Sequence, residues 1–326
     1  MGRITILRDF IGIIKDKASQ SKAALLSDPK TLSLHLALLR ATTHDPFTPP
    51  DPRHLATLLA SGHTSRATVS TAIEILMDRL QTTRDASVAI KCLITVHHII
   101  KRGSFILQDQ LSVYPFNGGR NYLKLSNFRD NTTLLTWELS YWVRWYALYL
   151  ENLLQTSRVL GFFLSSASSS VDKNEEEEEK ISRMPNSLHT NGNILVDEVL
   201  GMVGEDYLAS ANEVSIRVSE FKERLSCLSV FESVELGFAL KRLEDCKERL
   251  SALGQMRNVL VETVWGSISE MKDQVGNNEL YGGEGRLMVM ESSKNKVSES
   301  SRYGERVLKL GDSVDFFSGR FSKLQY

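Results

Sequence analysis

The chain has 326 residues, 42% of them hydrophobic and 24% charged, and a formal net charge of −1 at pH 7. This composition is typical of a globular protein with a sizeable core, and it excludes fibrous and low-complexity classes. No run of 18 apolar residues occurs, which argues against a transmembrane helix. The N-terminus has charges within its apolar stretch, unlike a secretory signal. The three cysteines are scattered, which predicts reduced thiols.

The small net charge conceals an asymmetry between the two halves of the chain. Residues 1–158 contain 19 Lys and Arg against 12 Asp and Glu, whereas residues 159–326 contain 20 against 28. A basic N-terminal half can favour an anionic partner, such as a membrane surface or a nucleic acid. The alternative is that the asymmetry arises by chance.

The first predicted element is an amphipathic helix over residues 4–17. Ile4, Leu7, Ile11 and Ile14 recur at helical spacing, with charged residues between them. Two interpretations stay open. The apolar stripe can enter a bilayer interface, or it can be the buried face of a first core helix, which is the interpretation we prefer from the pattern alone.

The second helix is expected to start at Asp28. A proline-rich stretch over residues 39–59 begins at the end of this helix. Arg40 and His44 lie at the end of that helix, a loop with four prolines follows, and Asp51-Pro52 opens the next helix with Arg53 and His54 in its first turn. Basic groups at a helix end and a helix start can hold a phosphate. The alternative is a turn that only joins two helices.

Further helices are predicted over 66–81, capped by Thr64 or Ser65, over 86–101, capped by Asp85, and over 132–164. The last of these is strongly aromatic. Its stripe is expected to belong to the core and comprises Trp137, Tyr141, Trp145 and Leu148.

The second half of the chain contains two regions of unusual composition. Residues 165–192 are Ser-rich and then carry five consecutive glutamates, which predicts a flexible, solvated insert or the exposed end of an extended helix. Helical periodicity returns over 193–209, 211–252 and 255–275, and residues 276–326 are expected to be mostly disordered. No strand alternation of useful length occurs, so the predicted class is all-α, with sequential stacked helices.

Common catalytic and nucleotide-binding motifs are absent from the sequence, and nothing in it resembles a pair of catalytic carboxylates on a shared face. His97 and His98 are neighbours on a helix, so they cannot bind one metal ion from the same face. We therefore expect no enzyme, no catalytic or metal site and no cofactor. Aromatic residues follow core spacing rather than alternating with exposed cations, so a nucleic-acid partner is not expected.

Three stretches together resemble the ANTH domain, the phosphoinositide-binding helical module of clathrin assembly proteins. The first is Arg40-Ala41-Thr42-Thr43-His44 with the downstream Arg53-His54. The second is Lys91-Cys92-Leu93-Ile94-Thr95-Val96-His97-His98. The third is Leu125-Ser126-Asn127-Phe128-Arg129-Asp130 followed by Trp142-Val143-Arg144-Trp145-Tyr146-Ala147-Leu148-Tyr149-Leu150. Their order and spacing agree with the family over about residues 3–155 and agree less closely over 193–275.

The resemblance implies an ENTH/ANTH-type solenoid of stacked antiparallel helices over 1–160, with the longer C-terminal helices of the domain over 193–275. It implies an adaptor that binds phosphatidylinositol 4,5-bisphosphate and assembles clathrin coats at the cytosolic face of coated pits, vesicles and the Golgi apparatus. Clathrin and SNARE proteins are the implied partners. Carried over by position, the phosphoinositide ligands are Arg40, His44, Arg53 and His54.

Two departures from the family bear on this expectation. Pro50, Asp51 and Pro52 stand where the family has lysines, and each basic residue near an anionic membrane contributes about 1 kcal/mol. The C-terminal stretch of about 50 residues has no NPF peptide or acidic clathrin box, and the one DPF peptide, Asp45-Pro46-Phe47, falls within the loop. The alternative function is a helical interaction scaffold for a SNARE or another helix, with weak or lost lipid binding.

Overall fold

The computed structural model describes residues 2–29, 31–114, 123–160, 185, 190, 192–251 and 261–276. All of these belong to the first of two compact units, Met1–Glu279 and Leu280–Tyr326. The helices are α1 (Gly2–Leu26), α2 (Leu32–Ala41), α3 (Pro52–Ala60), α4 (Arg66–Thr82), α5 (Ala86–Arg102), α6 (Phe105–Val113), α7 (Leu134–Leu160), α8 (Ile194–Arg224), α9 (Val230–Ser251) and α10 (261–276). The described residues contain no strand, so the predicted all-α class is confirmed.

Several helix starts follow the predicted caps. The side chains of Asp51, Ser65 and Asp85 accept hydrogen bonds from backbone N–H groups in the first turns of α3, α4 and α5. The predicted cap at Asp28 is wrong, because α2 begins at Leu32. The carbonyl of Asp28 instead accepts the N–H of Leu32 at 2.9 Å, which closes a tight turn between α1 and α2.

The main core is organised around α5. Every apolar residue of this helix is buried, and α5 packs against α3, α4, α6, α7 and α8. Helices α1 and α2, α2 and α3, and α4 and α6 form further packed pairs. This succession of packed helices, followed by longer ones in α7 and α8, agrees with the solenoid implied by the family resemblance.

A second, smaller apolar core joins the C-terminal part of α8 to α9 and α10. Its buried members are Ala211, Val218, Leu240, Val264, Ile268, Met271 and Val275. The predicted break near residue 210 is wrong, since α8 runs to Arg224. The chain breaks instead just before Ser229, whose backbone N–H donates to the Glu232 carboxylate at 2.8 Å while its hydroxyl accepts the Glu232 N–H at 3.3 Å. This reciprocal capping box starts α9.

The preferred core interpretation of α1 is wrong. Leu7, Ile11 and Ile14 are 63%, 44% and 56% exposed, so the apolar stripe faces away from the protein. The residues that face the protein are Gly12 and Asp16, which pack on the loop between α2 and α3. The hydrophobic periodicity correctly predicted an amphipathic helix but not the direction of its apolar face.

The core interpretation of the aromatic stripe holds only in part. Trp145 is 5% exposed, but Trp137 and Tyr141 are each 41% exposed. Helix α7 enters the core through a neighbouring stripe, and the fully buried members of this stripe are Leu139, Val143, Tyr146 and Leu150. Because the whole helix is rich in large apolar residues, its sequence alone did not distinguish the two stripes.

Two regional predictions fall largely outside the described residues. These are the flexible insert over 165–192, of which only residues 185, 190 and 192 are described, and the disordered tail over 276–326, of which only residue 276 is described. Among the helices that are described, none has the length and apolar content needed to cross a bilayer.

Candidate functional site

The candidate site is the loop from Thr42 to Asp51, which connects α2 to α3. Two cations from neighbouring helices hold its first half. Arg79 of α4 donates to the Thr42 hydroxyl at 2.5 Å and to the Thr42 carbonyl at 2.6 Å. Lys91 of α5 donates to the Thr43 hydroxyl at 2.8 Å and contacts the Thr48 hydroxyl at 3.5 Å. The loop is therefore built on the core helices.

The DPF peptide is part of this folded loop. The Asp45 carboxylate accepts hydrogen bonds from the Phe47 N–H and the Thr48 hydroxyl, each at 2.9 Å. The Pro46 carbonyl accepts a hydrogen bond from the Asn193 side chain at 3.2 Å, and Asn193 is also the cap of α8. These bonds give the peptide a structural role, and they connect the loop to a helix about 150 residues further along the chain.

Helix α1 lies against the other side of the loop. The Asp16 carboxylate accepts the His44 backbone N–H at 3.0 Å and lies 2.7 Å from the His44 ring Nδ1. One turn earlier, a Cβ added to Gly12 would come within 2.9 Å of the His44 Cβ, so a larger residue requires α1 to shift. His44 therefore packs against α1, and its side chain is only 13% exposed.

An open cavity of about 290 Å³ lies between α1, the loop and the end of α4. Three of its lining residues carry basic groups, and the others are small or hydroxylic. The lining is Lys15, Ala18, Ser19, His44, Arg79, Thr82, Thr83 and Val88. Because the Asp16 carboxylate lies 3.9 Å from Arg79 and 2.7 Å from His44, two of the three basic groups already face a negative charge.

The four predicted ligands occupy different environments. Arg40 is exposed at the end of α2, and the Arg53 side chain is 87% exposed at the start of α3. Arg53 pairs with Asp51 at 2.8 Å, and its hydrogen bonds lower the pKa of the Asp51 carboxyl to about 2. His54 is partly exposed, whereas His44 is drawn inward. Arg40 and Arg53 are therefore the predicted ligands that solvent reaches most freely.

Lys91 is a cation of this site that the sequence reasoning did not select as a ligand. Its side chain is fully buried below the loop, and burial lowers its pKa to about 8, although Asp45, Asp16 and Asp85 partly oppose this shift. Lys91 thus remains mostly protonated at neutral pH. The signal in the sequence was a single lysine within an otherwise apolar helical segment, a position that requires a specific polar environment.

The outward face of α1 is the second feature of the site. Five large apolar side chains on this helix are between 44% and 65% exposed: Leu7, Phe10, Ile11, Ile13 and Ile14. Exposed lysines at positions 15 and 17 follow them. A helix with this arrangement, polar toward the protein and apolar toward the surroundings, has the chemistry of a segment that lies in a bilayer interface.

His97 of α5 has a structural role. Its ring lies 2.7 Å from the Tyr146 hydroxyl on one side and 2.7 Å from the Asp206 carboxylate on the other, and it is fully buried. These bonds join α5 and α7 to α8. Within the described part of the chain, no cluster of three or more His, Cys, Asp and Glu side chains can hold a metal ion.

Comparison with known proteins identifies the family. The ANTH domain matches residues 33–215, which begin in α2 and end in α8. "Putative clathrin assembly protein At4g40080" of Arabidopsis thaliana is 51% identical over 99% of this chain and 96% of its own length. "Putative clathrin assembly protein At5g10410", also of Arabidopsis thaliana, is 32% identical over 80% of this chain and 84% of its own length.

A longer relative shares only part of the chain. "Putative clathrin assembly protein At5g57200" of Arabidopsis thaliana is 36% identical over 50% of this chain, a stretch that makes up 27% of that relative. The domain match covers more than half of the sequence, and it includes the loop, the buried Lys91 and the helices that support them. This protein therefore belongs to the ANTH-domain family of clathrin assembly proteins.

Proposed function

We propose that this chain is a membrane adaptor that binds phosphatidylinositol 4,5-bisphosphate and takes part in clathrin coat assembly during endocytosis. It acts by binding and not by catalysis. The observation that carries the proposal is the orientation of α1, whose apolar face is exposed while its polar face packs on a loop that Arg79 and Lys91 hold. A lipid surface offers both an apolar phase and anionic headgroups to such a site.

The apolar face of α1 supplies the first part of the binding energy. Transfer of a fully exposed Ile, Leu or Phe side chain from water to an apolar phase contributes about 1.5–3 kcal/mol. The side chains of Phe10 and Ile14 are 65% and 56% exposed, so they retain much of this free energy for insertion. Because Asp16 and Gly12 hold the helix on the loop, insertion and headgroup binding occur at the same place on the membrane.

Basic residues supply the second part. Arg40 and Arg53 lie at the exposed ends of α2 and α3, His44 and His54 belong to the same segment, and the buried Lys91 adds positive potential from below. The pairing of Arg53 with Asp51 reduces the charge that a headgroup meets. We therefore expect affinity to depend on α1 insertion together with the headgroup contacts, rather than on headgroup contacts alone.

The partners and location follow from the same proposal. Relatives named as clathrin assembly proteins support clathrin as a partner, and the bound membrane is the cytosolic face of coated pits, vesicles and the Golgi apparatus. Clathrin recruitment by this chain is testable by sedimentation of purified clathrin with protein-coated vesicles. The protein without vesicles is the control for free assembly.

Vesicle sedimentation tests the lipid assignment. We expect binding of the full chain to rise with phosphatidylinositol 4,5-bisphosphate and to fall with salt, because the contacts are ionic. An Arg40→Glu/Arg53→Glu variant should bind at least tenfold more weakly, since each basic residue contributes about 1 kcal/mol and reversal adds repulsion. Arg66→Glu/Arg224→Glu is the matched control, because Arg66 is also exposed and also paired with an aspartate. Equal sedimentation of the two variants would contradict the loop assignment.

A second candidate function has support from α9. Val230, Phe231 and Phe238 are 54%, 73% and 61% exposed, and the two phenylalanines are seven residues apart on one helix face. Such a face fits the apolar side of a partner helix, such as that of a SNARE. A Phe231→Ser/Phe238→Ser variant that still sediments with vesicles but no longer captures a SNARE helix would support a scaffold role.

A further inference from the structure

The outward stripe of α7 presents aromatic side chains that the core does not use. Trp137 and Tyr141 are each 41% exposed, and Leu134 on the same stripe is 52% exposed. The rings of Trp137 and Tyr141 meet edge to face, with centroids 4.9 Å apart and planes at 80°. This contact fixes both rings at the surface, where they form an apolar platform with polar N–H and O–H edges.

Two arginines, Arg144 and Arg129, border this platform. The Arg144 guanidinium lies 4.3 Å above the Tyr141 ring centroid. Arg144 and Arg129 both donate to the Phe128 carbonyl, at 2.8 and 2.9 Å, which brings two positive charges to one oxygen atom. Across the described parts of the chain, neither guanidinium forms an ion pair. The charge of Arg129 contributes to a lowered pKa of Arg144, after the larger effect of burial.

The start of α7 lies beside α1. The Arg8 guanidinium donates through Nη1 to the Thr133 hydroxyl at 3.2 Å, one residue before α7 begins. The other terminal nitrogen of Arg8 is buried and has no hydrogen-bond partner. The start of α7 therefore lies close to the N-terminal part of α1, a helix whose Leu7 and Phe10 side chains are exposed.

We propose that Leu134, Trp137, Tyr141, Arg144 and Arg129, together named the α7 aromatic face, form a second contact with an anionic bilayer. This inference rests on the proposed membrane function. The aromatic rings enter the interfacial layer, where Trp and Tyr are favoured because one edge is apolar and the other hydrated. The two guanidiniums bind anionic headgroups, which relieve their mutual repulsion. A lipid surface suits this face better than a protein partner, because it offers anionic headgroups to both guanidiniums and an interfacial layer to the exposed rings, close to the N-terminal part of α1.

Quenching of tryptophan fluorescence tests the contact with a substitution outside the core. The full chain is mixed with vesicles of phosphatidylcholine and phosphatidylserine that contain phosphatidylcholine brominated near the glycerol end of its acyl chains. We expect quenching in the native protein and its loss in a Trp137→Phe variant, because Trp142 and Trp145 are only 3% and 5% exposed and Trp265 is partly buried against the second core. Equal quenching in the two proteins would overturn the inference.

Binding strength provides an independent measurement. Arg129→Ala should weaken vesicle sedimentation by about fivefold, the factor that corresponds to roughly 1 kcal/mol for one basic group. Trp137→Ala/Tyr141→Ala removes two interfacial groups and should weaken it by about thirtyfold. The matched controls are Phe105→Ala/Phe221→Ala and Arg224→Ala, which remove exposed aromatic rings and an exposed arginine elsewhere.

The outcomes separate this inference from the proposed function. If the native chain binds vesicles but the α7 variants bind equally well and Trp137 is not quenched, the inference alone is wrong. If the native chain binds no anionic vesicle, both are wrong. If the α7 variants keep full vesicle binding but lose an acidic protein partner, the face binds protein and the inference is wrong.

Discussion

Helices α1 and α5 are both rich in isoleucine, yet the protein uses their apolar residues in opposite ways. All apolar side chains of α5 are buried among α3, α4, α6, α7 and α8. In α1, Leu7, Phe10 and Ile14 are more than half exposed, and the polar stripe packs on the loop. The comparison teaches that an apolar stripe predicts an amphipathic helix, whereas the tertiary structure decides whether the apolar face of that helix is buried against the rest of the protein.

In both helices a charged residue points toward the interior of the protein. Asp16 of α1 is turned inward to His44, and Lys91 of α5 lies fully buried below the same loop. Both helices thus direct one charged group at the loop between α2 and α3. The functional loop is the place where an outward-facing apolar helix and a core helix meet.

The largest expected difference between the two helices concerns stability. Ile94→Ala in α5 removes a fully buried side chain and should cost about 2–5 kcal/mol of unfolding free energy, because a cavity remains. Ile13→Ala in α1 should change stability by less than about 0.5 kcal/mol, since this residue is 58% exposed. Urea unfolding of both variants measures the difference, and similar losses would contradict the contrast between the helices.

Lys91 tests whether α5 carries a buried charge. Below pH 8 this lysine is protonated in both the folded and the unfolded state, so the folded state bears the cost of burial. Between pH 8 and 10.5 only the folded state loses the proton, so the Lys91 contribution to stability should rise by up to roughly 3 kcal/mol. Lys91→Met should lack this rise, and urea unfolding of both proteins across that pH range measures it. Parallel curves for the two proteins would contradict the assignment.

The outward face of α1 is tested by removing its apolar character. Phe10→Ser/Ile14→Ser should weaken vesicle binding by roughly tenfold or more, because two partly exposed apolar side chains no longer transfer into the bilayer. Thermal unfolding should be nearly unchanged, since neither side chain belongs to the core. Leu25→Ser/Leu26→Ser is the matched control at the other end of α1, where both leucines are exposed. An equal effect of the two variants would show that position along α1 does not matter.

The smallest expected effect concerns the acidic residue of the loop. Asp51→Asn keeps a good helix cap but removes the charge that pairs with Arg53, so binding to phosphatidylinositol 4,5-bisphosphate should strengthen about fivefold. Asp273→Asn is the control, because it removes an exposed aspartate from α10. Isothermal titration with a soluble headgroup measures both variants, and unchanged affinity for Asp51→Asn would mean that Arg53 is not a ligand.

Much of the fold was predictable because local chemistry determines it. Asp51, Ser65 and Asp85 each provide a side-chain acceptor for the first turn of a helix, and the structure uses all three. The break before Ser229 was missed although the sequence contains its signal, a serine followed three residues later by a glutamate. The predicted break near residue 210 failed because α8 continues into the second core.

The candidate site was predictable only in part, because its supports are distant in the sequence. Arg79, Lys91 and Asn193 reach the loop from α4, α5 and the start of α8. No local spacing connects these residues with His44. Their roles appear only when packing brings the helices together, and the same packing turns His44 toward Asp16 and away from solvent.

By itself, the sequence determined the all-α class, most helix positions and the ANTH resemblance, since these depend on periodicity, caps and short motifs. Only the tertiary structure decided which apolar faces are covered. It turned α1 outward because polar contacts with the loop fix that helix, and it left Trp137 and Tyr141 at the surface because α7 packs through another stripe. The orientation of a helix depends on contacts that are distant in sequence, and these contacts connect the fold to the proposed membrane function.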